Sequence, residues 1–175
     1  MSGDQTEDLS YHYWYTIQYF VGLIKSSELK AGLILSFYGI ILNFIYQNIE
    51  RTLEFASDQI FLFILFGLWF LSTLISIYFS IRSFIPRIES NYDPNVFFFG
   101  DIISKYGNIK DFSKVFYTTS IRGEQRYDQL GQQIFINAKI ASTKFKNVNL
   151  SLRFLAISLV LLLLVILNYV IVVLI

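Results

Sequence analysis

Cysteine is absent from this 175-residue chain, which excludes disulfides, Cys-based metal sites and thiol catalysis. Histidine occurs once, at His12, so neither a catalytic triad nor a transition-metal cage is expected. Charge is scarce as well. Lys, Arg, Asp and Glu make up 15% of the residues, against roughly 25% in an average soluble protein. No GxSxG, HExxH, Walker A or GxGxxG pattern occurs, which removes the common nucleophilic, zinc-hydrolytic and phosphate-loop chemistries. Prolines number two, Pro86 and Pro94, so long helices are free to form elsewhere. The first residues are acidic and no apolar run follows them at once, so no secretory signal is expected.

The charge deficit has a location. Residues 59–81 and 154–175 contain no charged side chain, and each is long enough for a ~30 Å hydrocarbon core at ~1.5 Å of rise per residue. Residues 31–49 form a third candidate span, uncharged but carrying Asn43, Gln47 and Asn48. Gly32, Ser36 and Gly39 within it suggest close helix contact. The short acidic connector 50–58 makes the first two spans a hairpin. The expected fold is an all-α membrane protein with three transmembrane helices, a hairpin plus a C-terminal span, and a helical cytoplasmic module. Four segments follow: an N-terminal interfacial helix over 1–30, the hairpin over 31–81, a cytoplasmic sensor module over 82–153, and the last span over 154–175.

Orientation comes from charge. Residues 82–153 hold eleven of the fourteen Lys and Arg residues but six of the thirteen acids, a local balance of 11 − 6 = +5. Such an excess beside spanning helices marks the cytoplasmic side. The N-terminus and the central stretch are therefore expected inside and the C-terminus outside. Trp14, Ile17, Val21 and Ile24 make an apolar stripe at helical spacing in a Tyr-rich segment, which suits either a headgroup zone or ordinary packing.

Within the central stretch, Asn95 to Asp101 reads as a turn opening a helix, with Gly100 relaxing the backbone and Asp101 near the helix start. A second short helix is expected over 111–118. From Gly123, the residues Tyr127, Leu130, Ile134, Ala138, Ala141, Phe145, Val148 and Leu152 recur at heptad-like spacing. No proline interrupts the run into the last span. One helix from Gly123 to Ile175 would be on the order of 80 Å long.

The cations Arg82, Arg87, Lys105, Arg122, Arg126 and Lys144, near Tyr106, Tyr117 and Tyr127, are suited to an anionic, base-bearing ligand. Arg gives bidentate phosphate contacts and aromatic faces stack on bases. The alternative is that they set topology and attract anionic lipid. Acids in the same stretch could supply a carboxylate pair, but the roles of an active site cannot be filled.

The order of features is informative. SELKAGLIL enters the hairpin, IRSFIPRI ends the second span, NVFFFGDI follows, and QQIFINAKIASTKFKNVNLSLRFL runs into the last span. This arrangement resembles the Pycsar system effector family, small bacterial membrane effectors of cyclic-pyrimidine antiphage defence. The pieces that carry the resemblance are Lys30-Ala31, Pro86-Arg87, Phe99-Gly100-Asp101 and Lys144-Phe145, with Glu28 where relatives often have Asp.

The resemblance implies a stand-alone, non-enzymatic effector of the bacterial inner membrane. A partner cyclase would supply cyclic CMP or cyclic UMP on infection. The effector would then oligomerise with itself or rearrange and impair the bilayer. No nucleic acid polymer is implied, and no cofactor beyond that activating nucleotide. Arg87, Asp101, Lys105, Arg122, Arg126 and Lys144 are the candidate ligand contacts, with Lys30, Pro86, Phe99 and Gly100 as structural motif positions. Two other classes fit the composition: a membrane-anchored scaffold whose long helix docks a partner, and a constitutive small channel subunit.

Overall fold

The computed structural model describes residues 3–48, 60–85 and 93–174, all of their regular structure helical. The helices are α1 (Gly3–Gln47), α2 (Ile60–Phe84), α3 (Phe99–Ser104), α4 (Ile109–Ile121) and α5 (Gly123–Leu174). α1, α2 and α5 are each long and apolar enough to cross a membrane. The architecture is that of an all-α, multi-pass membrane protein carrying a helical polar module. Residues 50–58, expected as the acidic connector, lie outside the described residues, as do Pro86 and Arg87.

Two expectations about element ends change. Residues 1–30 and 31–49 were read as an interfacial helix and a separate span, yet α1 continues through Lys30-Ala31 without a break. Nothing in that stretch breaks a helix, since proline is absent and the local residues are ordinary helix formers. α4 is longer than 111–118 because Asn108 caps it early. The Asn108 side chain accepts from the Lys110 and Asp111 N–H groups, both at 2.9 Å. Its amide donates to Asp111 Oδ2 at 2.6 Å, satisfying donors that would otherwise be orphaned at the helix start. The long helix from Gly123, by contrast, forms as one element of 52 residues.

The chain divides into two compact units. The first comprises Met1–Lys25 and Pro86–Thr143. Its core holds Phe98, Ile136 and Ile140, with Ile24 packed against them, and buries Ile17, Val96 and Leu130 nearby in sequence. Aromatic contacts tie α1 to the central stretch: Trp14 meets Phe97 at 5.8 Å and Tyr13 meets Tyr127 at 5.4 Å between ring centroids. Ser10 Oγ and the Tyr127 hydroxyl are 3.0 Å apart.

The second unit comprises Ser26–Ile85 and Lys144–Ile175. Here the soluble-protein pattern is inverted. Large apolar side chains such as Phe63, Leu68 and Leu71 of α2 face outward, while Ser72, Thr73, Ser76, Ser80 and Ser83 are buried. Three of the serines bond to α5 through their hydroxyls. Ser76 Oγ donates to the Ser151 carbonyl at 2.8 Å and Ser151 Oγ returns a bond to the Ser76 carbonyl at 2.8 Å. Ser80 Oγ lies 2.7 Å from Ser151 Oγ, and Ser72 Oγ donates to the Phe154 carbonyl at 3.0 Å. The Tyr38 hydroxyl of α1 sits 2.9 Å from Ser158 Oγ. In hydrocarbon the apolar faces gain nothing by meeting each other, so small side chains and interhelical hydrogen bonds hold such helices together. Of the small residues Gly32, Ser36 and Gly39, only Gly32 meets a neighbouring helix, where a Cβ would lie 3.5 Å from the Phe84 ring of α2. Ser36 and Gly39 are exposed, and a Cβ on Gly39 would meet nothing within 4 Å.

Candidate functional site

The best-organised polar feature of the first unit is the turn Asn95–Asp101. Asn95 is fully buried and uses every polar group it has. Its N–H donates to Asp101 Oδ2 at 2.9 Å, and its amide donates to the Gln129 carbonyl at 2.7 Å and to Gln132 Oε1 at 3.5 Å. Its side-chain oxygen accepts from the Phe97 N–H at 2.8 Å, and its carbonyl from the Phe98 N–H at 3.2 Å. Val96 N–H completes the anchor by donating to Gln129 Oε1 at 3.0 Å. With the N–H groups of Asn95, Val96, Phe97 and Phe98 all taken, the turn is fixed against α5, because a shift would strand a buried polar group.

That turn sets up α3. Three consecutive phenylalanines have three fates: Phe97 packs on Trp14 and Phe116, Phe98 enters the core, and Phe99 stays exposed. Phe98 offers no side-chain cap, and Asp101, three residues in, reaches back to Asn95 instead. Gly100 was expected to relax the backbone. No described glycine has positive φ, and Gly100 is simply helical, its carbonyl accepting from Ser104 Oγ at 2.6 Å.

Asp101 is buried and its Oδ1 pairs with Lys105 Nζ at 3.2 Å. Tyr106 follows at once. Burial pushes its hydroxyl pKa above the usual 10.0, and the Asp101 carboxylate adds to the rise by disfavouring a second negative charge.

Beside the turn, Asp93, Thr119, Gln125, Asp128, Gln129 and Gln132 line an open polar pocket of about 370 Å³. A neighbouring pocket of about 380 Å³ shares Asp93 and Gln132 and is bounded by Gly131, Phe135 and Ile136. Both volumes suit a small molecule. Among the described residues their lining offers amides and carboxylates, groups that read hydrogen-bonding edges, and no cation. Two further amides on α5, Gln133 and Asn137, are buried with Gln133 Oε1 and Asn137 Nδ2 unpartnered.

The residues expected to hold an anionic ligand divide between these places. Asp101 and Lys105 come together as an ion pair. Arg122 caps α4 with extended backbone and donates its N–H to the Thr118 carbonyl, leaving its side chain exposed. Arg126 is half-buried, its guanidinium 4.7 Å from the Tyr127 ring centroid and donating to the Tyr127 hydroxyl at 2.8 Å. Its Nε has no partner. Arg87 and Pro86 lie outside the described residues.

Lys144 belongs to the second unit and is buried there. Its ammonium pairs with Glu28 Oε1 at 2.9 Å and donates to the Ser83 carbonyl. Lys30 lies over the neighbouring Phe145 ring at 5.7 Å, and Ala31 is fully buried. Two of the short motifs, Lys30-Ala31 and Lys144-Phe145, are thus partners in space.

Asn95, Gln129, Gln132, Gln133 and Asn137 had not been singled out from the sequence. Uncharged amides give no charge signal, and Asn95 looked like ordinary turn chemistry. The one available cue was the polar residue recurring at seven-residue spacing, at Asn137, Lys144 and Ser151, inside a run otherwise read for its apolar members.

Among the described residues no group of three His, Cys, Asp or Glu side chains is placed to hold a metal ion. Comparison with curated proteins and with solved structures returned no match. Comparison with protein families returned the Pycsar effector protein domain, matched over residues 12–171. That match spans α1 through all but the end of α5, both units included, and the chain belongs to the Pycsar effector family.

Proposed function

We propose that this chain is a non-enzymatic effector of bacterial antiphage defence, seated in the inner membrane and activated by a cyclic pyrimidine mononucleotide. The observation that carries the reading is the family match over nearly the whole chain, on a framework of three helices able to span a bilayer. The central stretch 82–153, with its excess of lysine and arginine, would face the cytosol, where a partner cyclase would deliver cyclic CMP or cyclic UMP.

Of the expected contacts, Arg122 and Arg126 suit the phosphate best. Arg126 lies against the Tyr127 ring with its Nε unpartnered, and Arg122, whose carbonyl accepts the Arg126 N–H one turn earlier, has an exposed side chain. That combination supports phosphate binding together with base stacking. The amides and carboxylates around Asp93 and Gln132 suit the edge of a pyrimidine. Asp101 and Lys105 act through the Asn95 turn, and Lys144 through its pair with Glu28. Ligand favouring one arrangement or assembly of the chain would shift its population toward a membrane-damaging state. Three spans enclose no wide pore, so the damaging state is a homo-oligomer.

The test is membrane potential in cells expressing the chain, with and without cyclic CMP or cyclic UMP. Depolarisation that needs the nucleotide is expected, and Arg122→Ala with Arg126→Ala should raise the nucleotide level required. Unchanged polarisation at saturating nucleotide, with protein present in the membrane, would overturn the reading. Depolarisation without nucleotide would assign a constitutive channel instead.

A further inference from the structure

Within the second unit, the hydrogen bonds between α2 and α5 fix which residues of the two helices lie at one depth. Ser76 is level with Ser151, and Ser72 with Phe154. Arg153 is therefore level with about residue 73 or 74 of α2, roughly 11 Å inside the inner end of its uncharged run 59–81. α5 has an uncharged run of its own, 154–175, and the two runs are out of step. Extended at equal rise, the Ser72–Phe154 bond puts Ile60 level with about residue 166. The Tyr38–Ser158 contact puts Gln47 level with about residue 167.

One bilayer cannot be centred on both runs. Centred on 154–175, it would bring Gln47 and Ile60 near its middle, the ends from which the sequence carrying Glu50, Arg51, Glu54 and Asp58 departs. It would also leave the exposed Leu74 and Ile81 of α2 in water. Centred on α1 and α2, whose ends agree in depth, it keeps those four charges at its edge and takes in one, Arg153. One intramembrane charge costs far less than four, so α1 and α2 set the bilayer and Arg153 enters it.

Charged groups inside a membrane ordinarily face the bundle interior and pair there. Arg153 does neither. It is exposed on the outer face of α5, and Lys146, also exposed, lies two turns earlier within about 20° of it. Asn147 reaches the Arg82 carbonyl at 3.5 Å, which sets Lys146 at the inner edge of the α2 run. Among the described residues neither cation has an ion pair or a hydrogen bond. Helical side chains lean toward the N-terminus. On α5 that turns Arg153 toward Lys146 and the nearer headgroups, the direction in which an arginine snorkels.

The anion that meets this stripe does not come from a second copy. Residues 29–49, 59–81 and 144–175 contain no acid, and Glu28, the one described acid of the unit, is held by Lys144. A second copy would bring the same two cations and no counter-charge. We propose that Lys146 and Arg153, on the outer face of α5, bind the phosphate of a membrane phospholipid drawn below the plane of its leaflet. Arg153 takes the phosphate through its planar fork, and Lys146 meets it as a point charge at the leaflet surface. Headgroup and water held at that depth thin the bilayer beside α5. The site acts with or without nucleotide.

The test uses the full-length chain, isotope-labelled at arginine, in vesicles of phosphatidylcholine and phosphatidylglycerol without nucleotide. Solid-state NMR measures dephasing of the guanidinium carbons by lipid phosphorus. The parent chain should show a strongly dephased guanidinium that is missing from Arg153→Leu and weakened in Lys146→Gln. The cysteine-free sequence also allows a single nitroxide at Ile157→Cys, an exposed position one turn deeper than Arg153. Its access to a water-soluble nickel complex should fall severalfold when Arg153→Leu is added, and should be kept by Arg153→Lys. A guanidinium at 153 without phosphorus dephasing would overturn the proposal, as would nickel access unchanged by Arg153→Leu. Spin–spin broadening between labels at 157 would overturn it too, by assigning the face to a second chain.

Discussion

Asn95 shows how much one small side chain can determine. Its five polar contacts fix the start of α3 and anchor it to α5. Asn95→Ala should destabilise the first unit by about 2–3 kcal/mol, since the Phe97 N–H loses its acceptor inside the protein. Thermal melting of the detergent-solubilised chain measures this, and a loss under about 0.5 kcal/mol, the level of an ordinary surface change, would contradict it. Tyr106 gives a second residue-scale expectation, with its sign set by the raised pKa. The folded chain holds this proton more tightly than the unfolded chain. Its stabilising effect is therefore complete below the ordinary value of 10.0 and is lost as pH rises through the folded pKa. Tyr106→Phe should flatten the fall in melting temperature above that pH relative to the parent chain. Parallel curves for the two would remove the effect.

Among the elements, α5 shows where sequence reading succeeded and where it went wrong. Its extent was legible, because no proline or glycine pair interrupts residues 123–174 and helix periodicity persists throughout. The buried face was legible only in part, through Leu130, Ala141 and Val148 of the expected stripe. The apolar stripe read from Tyr127 to Leu152 includes Phe145 and Leu152, both exposed, while Gln133, Asn137, Lys144, Asn147 and Ser151 are buried. The spacing from Leu130 through 133, 137, 140, 144, 147 and 151 is a heptad whose members are mostly polar. Reading burial from hydrophobicity assumes water outside the helix. For Lys144, Asn147 and Ser151, which belong to the second unit, the outside is hydrocarbon, so the rule inverts and small polar residues mark the contact face. The same inversion hid the seam on α2. Ser151→Leu should therefore be disruptive, costing about 1–3 kcal/mol from overpacking alone and more from the serines it strands, whereas Leu71→Ser on the outward face leaves the helix contact intact. Cross-linking yield between cysteines placed on α2 and α5 distinguishes the two. The Glu28–Lys144 pair makes a related prediction. Glu28→Gln keeps an amide oxygen as acceptor but removes the counter-charge of a buried ammonium, and should cost about 2–3 kcal/mol, less than the ~3–5 of a fully buried pair because Glu28 is partly in solvent. Urea or thermal unfolding that matched the parent chain would show the pair to be dispensable.

For the molecule as a whole, the segregation of charge was the strongest signal available before any coordinates. Eleven of the fourteen cations fall between two uncharged runs, and the described helices place those runs on α2 and α5. What the charge pattern did not reveal was which cations are used structurally. Lys105 and Lys144 looked equivalent to Arg122 and Arg126 in sequence, but each is committed to a carboxylate. Ion pairing depends on tertiary neighbours that spacing does not encode. The nucleotide reading rests on Arg122 and on Arg126, the latter beside Tyr127. Its most direct test is ion flux from sealed proteoliposomes containing the purified chain, with cyclic CMP or cyclic UMP added on the side that bears the first unit. The account predicts flux that rises with the cyclic pyrimidine nucleotide, with Arg122→Ala and Arg126→Ala shifting the dose required to higher concentration. Folded, inserted protein that stays silent at saturating nucleotide, or leaks equally without it, would contradict the account.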